Sequence, residues 1–240
     1  MTEAFERLDD ALQSGGAAEL IPIPTGFEPL DRVLGGGLRP GELMLVGGIP
    51  GVGKTIATLQ WARNIASQGK TTIFACYEHE EVDLLVRLLA LEMGELSDTG
   101  NPEVERLRAR IQEAANGTRQ GLAKVLDTEA LSRRAHERLE RYSDRLWLLA
   151  ASGAHTGLTQ LEEALAQRKG APAVLFVDYL QKVAVRPEPP DEAEKVTTIA
   201  EGLKELALAY KIPIVCVVAA DLEGLKARRL RLHHLRGSSA

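Results

Sequence analysis

The chain has 240 residues, 45% of them hydrophobic and 26% charged, with a net charge of −5. This suits one large globular domain or two small ones, and it argues against a broadly basic nucleic-acid coat while leaving room for a local basic segment. No apolar run approaches the roughly 18 residues a membrane span needs, and the opening Met1-Thr2-Glu3-Ala4-Phe5-Glu6 lacks the basic start and apolar centre of a signal peptide.

Residues 2–13 place Ala4, Phe5, Leu8, Ala11 and Leu12 on one face of a predicted helix. Ser14-Gly15-Gly16 ends it, and Ile21-Pro22-Ile23-Pro24 reads as an extended linker. Phe5, Leu8 and Leu12 make one apolar stripe that has to be buried, on the same subunit or on a neighbour. The segment Thr25-Gly26-Phe27-Glu28-Pro29-Leu30-Asp31 leads into Gly35-Gly36-Gly37-Leu38, and a turn at Arg39-Pro40-Gly41 delivers the chain into a first strand, Leu43–Val46.

Gly48-Ile49-Pro50-Gly51-Val52-Gly53-Lys54-Thr55 follows that strand at once and opens a helix running from Thr55 to near Gly69. It matches G-x-x-x-x-G-K-[ST], the phosphate-binding loop of nucleoside triphosphatases. Glycines let the backbone curl so that N–H groups point at phosphate oxygens, and the helix N-terminus lands on the same anion. Gly48, Pro50, Gly51, Val52, Gly53, Lys54, Thr55 and Ile56 are therefore the candidate nucleotide contacts. Lys54 supplies a charge for the β- and γ-phosphates, and the Thr55 hydroxyl suits Mg²⁺.

Thr71 to Tyr77 reads as a second strand, with Glu78 at its carboxyl end. Apolar positions at Val82, Leu84, Leu85, Leu88, Leu89 and Leu91 give a helix from Glu81 to about Glu95. Residues 102–142 are helical in pattern and rich in both charge signs. Arg106, Arg108, Arg110, Arg133, Arg134, Arg138 and Arg141 stand among Glu and Asp there, which points to a solvated salt-bridged face rather than a nucleic-acid surface. Leu146–Ala150 is a third strand, about Leu158–Arg168 a helix, and Ala173–Val177 a fourth strand closed by Asp178. A Pro-rich loop over 184–194, a helix from about Lys195 to Tyr210, a fifth strand from Ile212 to Val218 and a basic end complete the chain. That end carries Lys226, Arg228, Arg229, Arg231 and Arg236. Cys76 and Cys216 both sit in apolar strand-like runs, and no Cys/His set has zinc spacing, which fits a reducing cytoplasm.

Strands alternating with helices imply a mostly parallel sheet covered on both faces, with ligands at the carboxyl ends of the strands. Gly48, Glu78 and Asp178 all fall at such ends. Asp178 is the expected second anchor of Mg²⁺. Glu78 is the candidate general base, ranked ahead of Glu80 because it immediately ends its strand; His79 reads as a neighbour rather than a catalyst. No arginine of the chain stands out as a charge for the γ-phosphate.

With these residues placed, the chain resembles the RecA-like ATPase domain of DnaB-type replicative helicases, within the superfamily that includes RecA, RadA and KaiC. The resemblance runs from about Thr25 to Ala240. It rests on Thr25-Gly26-Phe27, Leu30-Asp31, Gly35-Gly36-Gly37-Leu38, the phosphate loop, Phe74-Ala75-Cys76-Tyr77-Glu78, Val177-Asp178-Tyr179-Leu180-Gln181 and Leu235-Arg236-Gly237-Ser238-Ser239-Ala240. It implies an α/β fold of the RecA-like P-loop NTPase type over 25–240, preceded by an amphipathic helix and linker over 1–24. It implies ATP and Mg²⁺ as ligands, Glu78 as the catalytic glutamate with Lys54, and a single-strand-contacting segment around Arg231, Arg236 and Ser238. It also implies a homo-oligomer, a hexameric ring in the family, whose linker helix docks on the next subunit; residues 2–13 occupy that place. Several features depart from the family pattern. The amino-terminal collar is lacking, and the chain ends before the arginine-finger segment. Val218-Ala219-Ala220-Asp221-Leu222 stands where the family carries Ser-Gln-Leu-Asn-Arg, and His234 and Gly237 stand where Asp and Glu are common. Two cysteines cannot make the four-cysteine zinc module of a RadA-type repair protein.

Two functions follow as expectations. The first is a DnaB-like ATPase that acts on single-stranded DNA in replication or repair. The second is a KaiC-like regulatory or assembly module that binds ATP without translocating on DNA.

Overall fold

A computed structural model describes residues 2–13, 21–97, 102–113, 121–127, 129–167, 173–221 and 223–235. The apolar runs become five strands: β1 (Leu43–Gly48), β2 (Thr72–Cys76), β3 (Leu146–Ala150), β4 (Val174–Asp178) and β5 (Ile214–Ala219). They form one sheet in the order β1-β5-β4-β2-β3, with every adjacent pair parallel. Central β2 and β4 are buried at every residue, as strands covered on both faces have to be. Edge strands β1 and β3 are partly exposed, with Leu45 and Trp147 each 39% accessible. The fifth strand begins at Ile214 rather than Ile212. Pro213 has no N–H for the ladder, so pairing starts one residue later, with the Ile214 N–H donating to the Glu42 carbonyl.

The helices are α1 (Thr2–Gln13), α2 (Glu28–Val33), α3 (Lys54–Ser67), α4 (Glu81–Leu96), α5 (Glu103–Glu113), α6 (Leu122–Leu126), α7 (Ala130–Glu140), α8 (Leu158–Ala166) and α9 (Glu192–Tyr210). The pleat assigns alternate strand residues to opposite faces. Phe74, Cys76, Phe176 and Val215 pack with Leu59, Ala62 and Ile65 of α3 and with Leu84 and Leu88 of α4. Ile73, Ala75, Leu175, Val177 and Cys216 pack with Leu161 and Leu165 of α8 and with Ile199 and Leu203 of α9. Both cysteines are buried free thiols. Phe74 and Phe176 stack at 5.9 Å between ring centroids across β2 and β4.

Four features differ from the sequence expectation or refine it. α9 starts at Glu192, not Lys195: Pro189-Pro190 exclude helix before it, and Glu192 and Glu194 in its first turn suit the positive end of the helix dipole. The 102–142 segment is three helices. α5, α6 and α7 build a separate small core with α4 from Leu89, Met93, Leu107, Ile111, Val125, Leu126 and Leu131. Their arginines are largely paired: Arg106 and Arg110 with Glu129, Arg133 with Asp127, and Arg138 with Glu92 and Glu95. The short helix α2 was not expected. Pro29 in its first turn supplies a pre-set φ, and the Asp31 carboxylate accepts from the Thr25 N–H and hydroxyl, both at 2.8 Å, and from the Gly26 N–H at 3.1 Å.

The Thr25–Asp31 segment thereby becomes a brace for the phosphate-loop helix. The Asn64 side chain on α3 donates to the Thr25 carbonyl at 3.0 Å, and the Phe27 ring meets Trp61 of α3 edge-on at 6.1 Å. A second brace ties α3 to α4. Arg63 reaches both oxygens of fully buried Glu92, at 2.6 and 2.7 Å, and both oxygens of Glu95. Tyr142 donates to Glu92 at 2.8 Å. Burial alone would raise the Glu95 carboxyl, but Arg63 and Arg138 hold it below the ordinary carboxylate range. A buried carboxylate with two guanidinium partners fixes orientation more than it adds stability, and here it fixes α4 against the helix that carries Lys54.

Candidate functional site

Four strand ends and two helices converge on one cavity of about 400 Å³. Its walls include Pro50, Gly51, Gly53, Lys54, Thr55 and Ile56 from the loop after β1 and the start of α3. Glu78 and His79 come from the turn after β2, Asp178 and Tyr179 from the end of β4, and Val217 and Ala219 from β5. Arg87 enters from α4. The parallel sheet explains the convergence, since every strand delivers its carboxyl end to the same edge.

The loop takes the form an anion cradle requires. Gly51 and Gly53 have φ of +76° and +95°, where a side chain would be strained, and Gly53 sits immediately before the first residue of α3. At Gly48 the limit is space: an added Cβ would lie 2.9 Å from Val52 and 3.2 Å from the Lys54 chain. The Lys54 ammonium donates to the loop's own carbonyls, Gly48 at 2.8 Å and Ile49 at 3.0 Å. Burial lowers its pKa, while the charges of Asp178 and Glu78 act in the opposite direction.

Asp178 is 1% exposed, and neither of its carboxylate oxygens has a hydrogen-bond partner among the described residues. Burial pushes its carboxyl above the ordinary range; the neighbouring Thr55 hydroxyl opposes this, Glu78 adds to it, and His79 and Lys54 oppose it. An orphaned buried carboxylate beside a phosphate-loop threonine is the donor set a hydrated Mg²⁺ uses, with phosphate and water filling the remaining octahedral positions. No cluster of three or more His, Cys, Asp or Glu side chains suited to a metal occurs among the described residues.

Glu78 is exposed and lines the cavity, whereas Glu80 stands outside it at the start of α4. One expectation is corrected: the chain does bring an arginine of its own to this cavity. Arg87 is half-buried and its guanidinium lies 3.4 Å from His79 Nδ1. The sequence pattern hid it because Arg87 belongs to a helix whose apolar repeat reads as core alone.

Residues 22–240 match the family described as DnaB-like helicase C terminal domain. The chain belongs to this family. Replicative DNA helicase DnaB of Treponema pallidum is 29% identical over 229 residues, covering 93% of this chain and 46% of that protein. DNA repair protein RadA of Mycobacterium tuberculosis is 25% identical over 221 residues, covering 89% of this chain and 34% of that protein. The chain thus spans less than half the length of either relative. Among solved structures, the ATPase domain of G40P superposes with a TM-score of 0.74 at 18% identity, covering 99% of this chain and 78% of the other. A DnaB-like replicative helicase studied for its interactions with primase superposes with a TM-score of 0.72 at 16% identity, covering 99% of this chain and 53% of the other. At these identities the superpositions speak for the fold, a RecA-like α/β domain.

Among the residues noted above as departing from the family pattern, Ala219 and Ala220 at the end of β5 are apolar. Ala219 lines the cavity, and its N–H donates to Gln181 Oε1 at 3.4 Å. Arg231 is exposed and is not among the residues lining the cavity, and its N–H donates to His234 Nδ1 at 3.0 Å. Arg236 and Ser238 lie outside the described residues.

Proposed function

We propose that this DnaB-like domain binds Mg·ATP at the β1–β4–β2 strand ends and hydrolyses it. The observation that carries the reading is the gathering of Lys54, Thr55, Asp178 and Glu78 around one cavity. Loop N–H groups and the α3 terminus hold the phosphates, with Lys54 released from the Gly48 and Ile49 carbonyls onto the β- and γ-oxygens. Thr55 and Asp178 are the residues that would hold Mg²⁺, which would supply neutralisation of phosphate charge. Glu78 takes a proton from a water whose oxygen attacks the γ-phosphorus. The bond to the bridging oxygen breaks, and ADP leaves with the electron pair.

We further propose that hydrolysis is coupled to single-stranded DNA. The names of the DnaB and RadA relatives support this, as does a segment with five basic residues and no acidic one between Leu225 and Ala240. Adding single-stranded DNA should raise ATP turnover and lose that effect steeply with salt. Arg231→Ala combined with Arg236→Ala should flatten the salt slope by about two phosphate contacts, roughly 0.7 each. Parental slope in the double variant, or no DNA response at low salt, would favour the regulatory reading, which the apolar Ala219 and Ala220 positions also support.

Assembly completes the proposal. Phe5 is 72% and Leu12 58% exposed on α1, so these two members of the stripe are left uncovered by the described residues. A neighbouring subunit of the same protein would cover it, head to tail, closing into a ring. Light scattering with ATP should find an oligomer that Phe5→Asp dissolves without unfolding the core. A parent that stays monomeric at high concentration with ATP would remove the idea. No helix among the described residues is long and apolar enough to cross a membrane, and a cytoplasmic place of action accompanies this reading.

A further inference from the structure

We infer that Arg87 is a second phosphate-binding cation of the site, facing the γ-phosphate, and that His79 positions it. The inference rests on the nucleotide reading above and goes past it by naming the group that recognises the third phosphate. The cavity that combines the glycine cradle with an arginine is the one at the strand ends, and the arginine's surroundings argue for an anion. Arg87 lines the cavity and is half-buried, so its charge is partly stripped of water. Most arginines of the neighbouring helices have carboxylate partners, but Arg87 forms no ion pair among the described residues. Its one hydrogen-bond contact there is His79 Nδ1 at 3.4 Å.

The position identifies which phosphate. Arg87 is held at the His79 side of the cavity, and His79 is the residue after Glu78. A base has to stand beside the water that attacks the γ-phosphorus, so the Glu78–His79 turn is the γ side. The loop and Lys54 approach the β- and γ-phosphates from the opposite wall. At β5, Val217 and Ala219 offer only apolar side chains. Lys54 and Arg87 are therefore the two permanent cations among the lining residues. Arginine suits the role because its planar fork donates to two oxygens at once.

Two braces hold the guanidinium in place. Leu84 and Leu88, flanking Arg87 on α4, are buried against the sheet, and Glu92 one turn further along is clamped by Arg63 of α3. The helix that carries Arg87 is thus fixed to the helix that carries Lys54. His79 can accept from Arg87 only through an unprotonated Nδ1, with its proton on Nε2. Its task is to stop the long side chain from rotating out to solvent when the site is empty, so less order has to be gained on binding.

The test uses the full 240-residue chain and compares parent, Arg87→Ala, Arg87→Lys, His79→Ala and His79→Asn. Affinities for Mg·ADP and for a non-hydrolysable Mg·ATP analogue are measured alongside turnover. Arg87→Ala should leave Mg·ADP affinity unchanged and weaken the triphosphate analogue about tenfold, the loss of one charge-assisted hydrogen bond. Turnover should fall about 10²–10³-fold, as when one preorganised donor to a developing charge is removed. Arg87→Lys should recover part of this. His79→Ala should lower kcat with little change in KM, and His79→Asn, which keeps an acceptor near the Nδ1 position, should restore it. Equal losses of ADP and triphosphate binding in Arg87→Ala would mean a structural role and overturn the inference. So would parental discrimination and turnover in that variant. Loss of all nucleotide binding by the parent would instead overturn the nucleotide reading itself, whereas parental Mg·ADP binding with unchanged triphosphate preference in Arg87→Ala overturns only the role of Arg87.

Discussion

Lys54→Ala is expected to abolish Mg·ATP binding at concentrations that saturate the parent. The ammonium now donates to the Gly48 and Ile49 carbonyls at 2.8 and 3.0 Å. Exchanging those neutral acceptors for phosphate oxygens creates charge-assisted bonds worth about 1.5–3 kcal/mol each. Losing two of them weakens binding by about 10²–10⁴-fold. The site's remaining charges worsen the loss, because Asp178 and Glu78 then face a polyanion with one cation fewer. Titration calorimetry would read the affinity, and thermal unfolding would confirm that the fold survives. The same residue sets a pH limit. Burial lowers the Lys54 pKa despite Asp178 and Glu78, so nucleotide affinity should fall as pH rises through a value below that of an ordinary lysine. A variant that binds Mg·ATP like the parent would place the phosphates elsewhere.

Much of the architecture was legible because the signals for it are local. Five apolar runs separated by helical periods became five parallel strands, and the phosphate loop stood where strand and helix meet. Boundaries shifted where one residue's chemistry outweighs its neighbours. Pro213 delays β5, and Pro189-Pro190 followed by acidic residues advance α9. The helix α2 escaped notice because six residues are too few for a period to declare itself. Its stability comes instead from Asp31 bonds to Thr25 and Gly26, six and five residues away.

The site divides in the same way. Glu78 and Asp178 follow or close strands and Lys54 and Thr55 open the helix after the β1 loop, so the parallel sheet brings all four sequence candidates to one cavity. Arg87 was missed because its approach is tertiary. Nothing in Leu84-Leu85-Val86-Arg87-Leu88-Leu89 distinguishes a cavity-facing arginine from a solvated one until the Arg63–Glu92 clamp fixes the rotation of α4. His79 was read as a neighbour of Glu78, and its contact with Arg87 joins two residues eight positions apart across a turn. The opposite inference, that the arginines of 102–142 form a solvated paired face, needed only composition, since interleaved acids leave them partners at hand.

Glu78→Gln should lower ATP turnover by about 10²–10⁴-fold, the usual worth of a positioned general base. The substitution keeps the length of the side chain and its place after β2 but removes the charge and basicity needed to take the water's proton. Nucleotide affinity should be kept or slightly raised, since the change removes a negative charge from a cavity that receives a polyanion. That split, kcat lost with binding retained, separates a base from a binding group. The deciding control is Glu80→Gln. Glu80 is two residues away and of the same chemistry, but it stands outside the cavity at the start of α4, so its loss should leave turnover near the parental rate. Asp178→Asn completes the comparison: it should raise the Mg²⁺ concentration that turnover needs, because this buried carboxylate, without a hydrogen-bond partner among the described residues, is where the cation would be anchored. Single-turnover measurements on the three variants at saturating nucleotide would keep binding and chemistry apart. A full loss in Glu80→Gln with an active Glu78→Gln would move the base to the wrong side of the turn and take the assignment of the γ side with it.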